Sequence, residues 1–289
     1  MARIELVKFT DKKDNYKLMY KWCNQKFIYE WFEQRKLSFD EIENKYKTKL
    51  LSRKQDLFFI NYDKEKIGFV QVYRYDDKKP KELNIFSNIF EYDIFIGESE
   101  YLSKGIGTQV VNYINKFIYN SYLCDCIILR PFKRNVRAIK CYEKCNFNIV
   151  YEYRGTDTLG NIETIVVLLN KLDRWTFGID VDRLANLVLD GKKSATTSLY
   201  ELDNVPKIGD ISVLTDSKNN SMCIVKAKKV IVTQFKNITW DLAKLEGENT
   251  SLDEWRKNHI NYFNKVDSNF NENTMVIFEV FEVIKKCLC

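Results

Sequence analysis

The stretch 101–110, YLSKGIGTQV, decides how the first half of this chain is read. The protein is sparing with glycine, ten in 289 residues, yet Gly105 and Gly107 stand one residue apart here. Val110, Val111, Ile114, Phe117 and Ile118 follow at helical spacing, so the pair sits at the mouth of an amphipathic helix. Glycine at that place lets backbone approach a ligand closely. The orphan N–H groups of a first helical turn lie at the positive end of the helix dipole and form an anion cradle. Lys104, Gly105, Ile106, Gly107 and Thr108 therefore read as the seat of a pyrophosphate. Two familiar cradles do not match. The dinucleotide fingerprint needs a third glycine where Val110 stands, and a P-loop needs Gly-Lys-Ser/Thr after four spacer residues.

Outward from that turn, aromatic and β-branched runs predict strands at 57–63, 66–76 and 89–97, preceded by helices at about 14–24 and 38–51. A short strand at 126–130, a helix starting near Asn135 and strands at 147–154 and 162–170 complete this half. The pattern then restarts. A helix through 181–190 is closed by Gly191, and strands at 208–215 and 222–235 flank the turn SKNNS. Two helices follow, the second opening with Ser251 and Glu254 in capping-box spacing, and TMVIFEVFEVI at 274–284 is a last strand. The expectation is an α/β (α+β) chain of two separable domains, residues 1–172 and 174–289.

Composition narrows the classes. Hydrophobic residues at 45% and charged residues at 30% are globular rather than disordered. The net charge of +6 is spread along the chain, which suits an anionic ligand but is not the basic stripe of a dedicated nucleic-acid binder. No apolar run is long enough to span a bilayer and no signal peptide opens the chain, so a cytoplasmic protein without membrane partner is expected. The cysteine pairs 124/126, 141/145 and 287/289 lack CxxC spacing, and His259 is the single histidine. Reduced thiols and no metal are expected.

The order of strand, GxG turn, helix and strand, followed by NVRAIKCYEKCNF at 135–147, resembles the GNAT superfamily of acetyl-CoA-dependent N-acetyltransferases. IYEWF at 28–32, IGFVQVY at 67–73, YDIFIGE at 92–98, SKGIGT at 103–108 and RAIKCYEK at 137–144 are similar to the aminoglycoside 6'-N-acetyltransferase type. That resemblance implies a mixed-sheet domain over about residues 1–170. It further implies that backbone around Gly105, Ile106, Gly107 and Thr108 holds the CoA pyrophosphate, with Lys104 adding charge. Phe95 and Ile96 would pair with the pantetheine arm and Asn135 would hydrogen-bond it. Tyr142 would protonate the departing thiolate, Asp93 would bind or deprotonate the amine, and Trp31, Phe32, Gln71 and Tyr73 would line the acceptor pocket.

Two departures bear on the acceptor. Arg130 stands where such enzymes carry an aspartate, and Leu159 lies near the usual late acid, with Asp157 and Glu163 as candidate substitutes. Asn146 replaces the usual glycine before Phe147, a mild change because Asn tolerates positive φ. An aminoglycoside is a polycation, so the expectation is inefficient acetylation of it, improved by Arg130→Asp.

In the second half, TFG, LVLDGKKSATTSL, PKIGDISVL, LEGENTSLDEWRKNH and FEVFEVI resemble an ASCH domain, a small PUA-like β-barrel, over residues 175–284. The resemblance implies a pocket of Lys193, Thr196 and Glu246 facing RNA or a modified nucleobase. A lysine could activate the threonine hydroxyl for hydrolysis of an acetylated nucleoside, with the glutamate handling the proton. Ligand binding is the favoured of those two uses, and His259 is expected to cap or pack. Two functions stand side by side. One is an acetyl-CoA-dependent N-acetyltransferase for a small-molecule amine such as an aminoglycoside, conferring antibiotic resistance. The other is an RNA- or nucleotide-binding protein whose ASCH domain presents a nucleic-acid-linked acceptor or cleaves an acetylated nucleoside.

Overall fold

A computed structural model describes residues 3–78 and 80–287; Cys289, one of the paired cysteines above, lies outside them. The chain divides into two compact units, Met1–Leu83 with Asn88–Lys171, and Asn84–Ser87 with Leu172–Cys289. The expected boundaries do not anticipate the short Asn84–Ser87 segment in the second unit. It belongs there because Arg174 lies over the Phe86 ring at 4.9 Å and Ser221 donates to the Ile85 carbonyl at 3.3 Å.

The first unit runs β1 (Ile4–Lys8), α1 (Lys13–Cys23), α2 (Lys26–Tyr29), α3 (Phe39–Ser52), β2 (Gln55–Tyr62), β3 (Glu65–Arg74) and β4 (Ile89–Ile96). It continues with α4 (Ile106–Tyr122), β5 (Cys126–Leu129), α5 (Val136–Glu143), β6 (Asn148–Thr156) and β7 (Ile162–Lys171). Its seven strands are ordered β1-β2-β3-β4-β5-β7-β6, and only the β4–β5 neighbours run parallel. Strand alternation sorts the core. Phe59 and Phe69 face one side, where Phe9, Trp22 and Tyr46 pack at ring distances of 5.2 to 5.9 Å, whereas Phe58 meets Phe117 of α4 at 5.3 Å. Helix α3 starts on a capping box in which Ser38 and Glu41 satisfy each other's backbone N–H groups.

The second unit runs β8 (Asp173–Trp175), α6 (Val181–Leu189), β9 (Ala195–Leu199), β10 (Ile211–Thr215), β11 (Ser221–Gln234), α7 (Trp240–Ala243), α8 (Leu252–Val266) and β12 (Met275–Lys286). Its sheet has the order β8-β10-β11-β12-β9, with register shifts in the long β11–β12 pair that bend it. The expected small barrel is thus a curled half-barrel that ends on β8 and β9. Phe235, Trp255, Phe263 and Phe278 fill its core beside α8. Among the described residues no helix is long and apolar enough to cross a membrane, and no group of three or more potential ligands could hold a metal ion.

Candidate functional site

Gly105 adopts φ +75° at the N-cap of α4, a left-handed turn that a side chain would strain. No side chain caps this helix start, so the first-turn N–H groups beyond Gly105 are left to an outside acceptor. Lys104 is exposed beside them. The turn rests on α5: a Cβ at Gly107 would meet Cys141 Sγ at 3.6 Å, and that thiol lies 3.7 Å from Thr108 Oγ1. A hydrogen bond with Cys145, then Thr108 and the charges of Lys144 and Arg137, outweighs burial and holds the Cys141 thiol below its usual range. Ordinary contact at 3.6 Å makes Gly107→Val compatible with the fold, yet its methyl groups fill the turn. The expected result is acetyl-CoA affinity reduced about tenfold or more with a near-parental melting temperature, read by calorimetry and a thermal melt. Parental affinity would remove the turn from donor binding.

The neighbouring strand is open along one edge. β4 pairs with β3 all the way from Phe90 to Ile96, but with β5 only through Ile89, Phe90 and Glu91. From Tyr92 to Ile96 the β5-side edge has no strand partner among the described residues, so Phe95 and Ile96 offer backbone groups to an extended ligand. Asn135 caps α5 with its Oδ1 accepting from Ala138 N at 3.2 Å, which leaves its amide N–H groups for another acceptor. Tyr142 is half-buried, 5.9 Å from the Phe147 ring, and burial, then Cys141 and Asp93, push its hydroxyl well above the usual range. It keeps its proton at neutral pH.

On the sheet face under α1 to α3, period-two alternation aligns Gln71 and Tyr73 of β3 with Asp93 and Glu91 of β4. Gln71 Nε2 donates to Asp93 Oδ2 at 2.5 Å and Tyr73 Oη donates to the same oxygen at 3.2 Å. Asp93 thus sits at the floor of a cleft walled by Phe32, Phe95, Tyr46, Lys45 and Lys49. Lys45 pairs with Glu33. Lys49 Nζ donates to Gln71 Oε1 at 2.5 Å, and burial, then the nearby Lys45, lowers it to about 8.

Arg130 does not present its charge to that cleft as expected. It grips Glu91 with two hydrogen bonds of 2.8 Å, reaches Asp77 at 2.7 Å and lies over the Tyr75 ring. Trp31 is also otherwise engaged, under the Arg134 guanidinium at 4.8 Å. Asp157 and Glu163 are no substitutes for the missing acid: Asp157 accepts from Leu159 N, Asn161 N and Asn161 Nδ2 in its own turn, and Glu163 pairs with Arg134 at 2.8 Å. Lys49 and Glu91 escaped sequence reasoning. Glu91 was accessible through its i, i+2 relation to Asp93, whereas Lys49 on its helix carries no local signal.

In the second unit, Gly247 (φ +68°) allows the turn after α7 to press against β9's approach, since a Cβ there would stand 2.1 Å from Lys192 O. Ser194 N bonds Leu245 O at 2.8 Å across the same contact. This brings Lys193, 2% exposed, against Glu246 at 3.3 Å and against Glu248. Thr197, not Thr196, completes the group, donating to Glu246 Oε1 at 2.6 Å. Alternation along β9 puts Thr196 on the opposite strand face, where it pairs with Glu279 of β12. His259 does more than pack: its Nε2 lies 3.3 Å from Glu246 Oε2, its Nδ1 lies 2.9 Å from Trp255 O, and its ring stacks on Trp255 at 4.0 Å. Burial works to raise Glu246, but His259, Lys193 and Thr197 together bring it down to about 2.

Comparison with known proteins places both halves. Residues 11–154 match the acetyltransferase (GNAT) domain family, and residues 173–285 match the ASCH domain family. Aminoglycoside N(6')-acetyltransferase type 1 of Klebsiella pneumoniae is 27% identical over 148 residues, 49% of this chain and 71% of that protein. A crystal structure of aminoglycoside acetyltransferase AAC(6')-Ib in complex with coenzyme A superposes with a TM-score of 0.49 at 22% identity, covering 59% of this chain and 95% of that one. The ASCH domain from Lactobacillus crispatus superposes with a TM-score of 0.37 at 28% identity, covering 39% of this chain and 79% of that one.

Proposed function

We propose, from the premise that this chain joins a GNAT acetyltransferase domain at residues 11–154 to an ASCH domain at residues 173–285, that it acetylates a primary amine of a small molecule. The enzyme is an acetyl-CoA-dependent acyltransferase, and the cosubstrate supplies the activated thioester. The observation that carries the reading is the open edge of β4 from Tyr92 to Ile96, which includes Asp93, together with the uncapped start of α4 that follows it in the chain. Around it, the first-turn N–H groups with Lys104 hold the pyrophosphate, Phe95 and Ile96 pair with the pantetheine arm, and Asn135 donates to it. Asp93 receives the amine and its proton as the nitrogen bonds to the acetyl carbon. Tyr142 gives its proton to the sulfur as the carbon–sulfur bond breaks.

Aminoglycosides are candidate acceptors because the Klebsiella relative is named for them. The nucleic-acid reading draws on the ASCH domain alone, and there Lys193 is spent on Glu246 and Glu248. Tyr142→Phe tests the mechanism. It is expected to lower kcat about a hundredfold with little change in the acetyl-CoA KM, because only a transition-state proton donor is lost. Parental turnover would reduce Tyr142 to a packing residue. Coenzyme A release across aminoglycosides, polyamines and amino acids against tRNA and nucleosides separates the acceptor classes; consumption only with tRNA or nucleosides would overturn the small-molecule reading.

A further inference from the structure

The acceptor cleft is lined by four charged side chains, and two of them, Lys45 and Glu33, pair with each other. Two groups are left over. Asp93 accepts only from neutral donors, Gln71 and Tyr73, and Lys49 donates only to the Gln71 amide oxygen. Among the described residues Lys49 has no carboxylate within 4 Å. One unneutralised anion and one unneutralised cation therefore flank a single side-chain amide, two hydrogen bonds and an amide's width apart.

Resting on the acetyltransferase reading above, we propose that the acceptor is a zwitterion, an amine that also carries a carboxylate within a few bonds, as in an amino acid. Asp93 takes its amine, and Lys49 takes its carboxylate. The physical case is the cost of a partly buried ammonium whose partner is neutral: an incoming carboxylate supplies the missing counter-charge, and an incoming polycation adds repulsion. Burial and Lys45 lower Lys49 to about 8 even against the opposing pull of Asp93 and Glu33, neither of which bonds it directly. The geometry also sets a length, because the acceptor's two charges must span no more than the Gln71 bridge. A polyamine or aminoglycoside offers a second cation at that distance, where the cleft presents Lys49.

The test uses the full chain with acetyl-CoA and a series of α- and ω-amino acids of increasing length, each matched with its carboxamide, beside spermidine and kanamycin. Coenzyme A release should favour the carboxylate of the best pair about tenfold or more in kcat/KM, mostly through KM. Lys49→Met should erase that preference by lowering kcat/KM for the carboxylate about tenfold more than for its carboxamide, and Lys49→Glu should shift preference toward spermidine and kanamycin. Calorimetry of the same pairs with the protein–coenzyme A complex reads the acceptor side without turnover and should show the same Lys49-dependent gap. Equal constants for acid and amide, a parental preference for spermidine or kanamycin, or a gap that survives Lys49→Met would each overturn the proposal. Absent acetyl-CoA binding in the parent would instead sink the acetyltransferase reading, which calorimetry of the donor alone reports separately.

Discussion

Arg130→Asp is expected to lower stability by about 3–5 kcal/mol, and not to open the cleft to polycations. The charge inversion is attractive on paper because an acid there would match the aminoglycoside enzymes. In the folded chain, however, Arg130 is the counter-ion of Glu91, whose side chain is only 4% exposed. Substitution removes both 2.8 Å bonds and sets a new carboxylate beside Glu91 and Asp77. Burial already pushes Glu91 up to about 7 against the pull of Arg130, so without the guanidinium it rises further. The sign of the pH dependence follows: a carboxyl with a raised folded-state pKa is tolerated while protonated, and its cost grows as pH rises through that value. The deficit should therefore be larger at pH 8 than at pH 5.5. Urea midpoints at both pH values, with Arg130→Met as the variant that breaks the pair without adding charge, measure it. A parental midpoint for Arg130→Asp at pH 8 would show that the ion pair contributes nothing.

Lys193→Ala is expected to destabilise the second unit by a similar amount, about 3–5 kcal/mol, because it removes the partner of Glu248 and leaves the buried Glu246 with His259 and Thr197 alone. Lys193 is 1% exposed at its side chain and also lies over the Phe177 ring at 5.0 Å, so packing is lost with the charge. Glu246 is held at about 2, below its ordinary 4.5. A carboxylate with a lowered folded-state pKa contributes stability above about 4.5 and loses it as pH falls toward 2. Removing Lys193 takes away part of that contribution, so the deficit should be full at neutral pH and shrink below about pH 4. Hydrogen exchange of the 192–199 peptide under urea localises the effect to this unit. A parental exchange pattern, together with weaker tRNA binding and a shallower salt dependence, would show instead that the lysine faces a ligand.

What could be read from the chain alone was what depends on neighbours in sequence. The Gly105–Gly107 turn and its helix, the Ser251 cap of α8 and the strands of the first sheet all rest on local conformation or on period-two and 3.6-residue patterning. Two short edge strands escaped it. β1 and β9 have five residues each with no continuous apolar run like that of β5, and they exist because β2 and β12 offer partners. Thr196 illustrates a finer limit. The resemblance placed it in the pocket with Lys193, but the chain is extended there, so the next residue, Thr197, meets Glu246.

Residue types and local order carried, with no structure, the two-part organisation and the glycine turn that opens α4, while the candidate groups for an amine and a thiolate came with the resemblance to a known family. Charge partnership was decided only in three dimensions. Arg130 reads as a free cation until β4 and β5 bring Glu91 beside it, and Lys193 reads as a ligand-facing pocket residue until Gly247 lets two carboxylates close over it. Lys49 is one of 46 basic residues until α3 lays it over Gln71 and Asp93. The reason is that Coulomb energy and desolvation depend on distance and burial, and between residues far apart in sequence neither exists before the sheet is assembled.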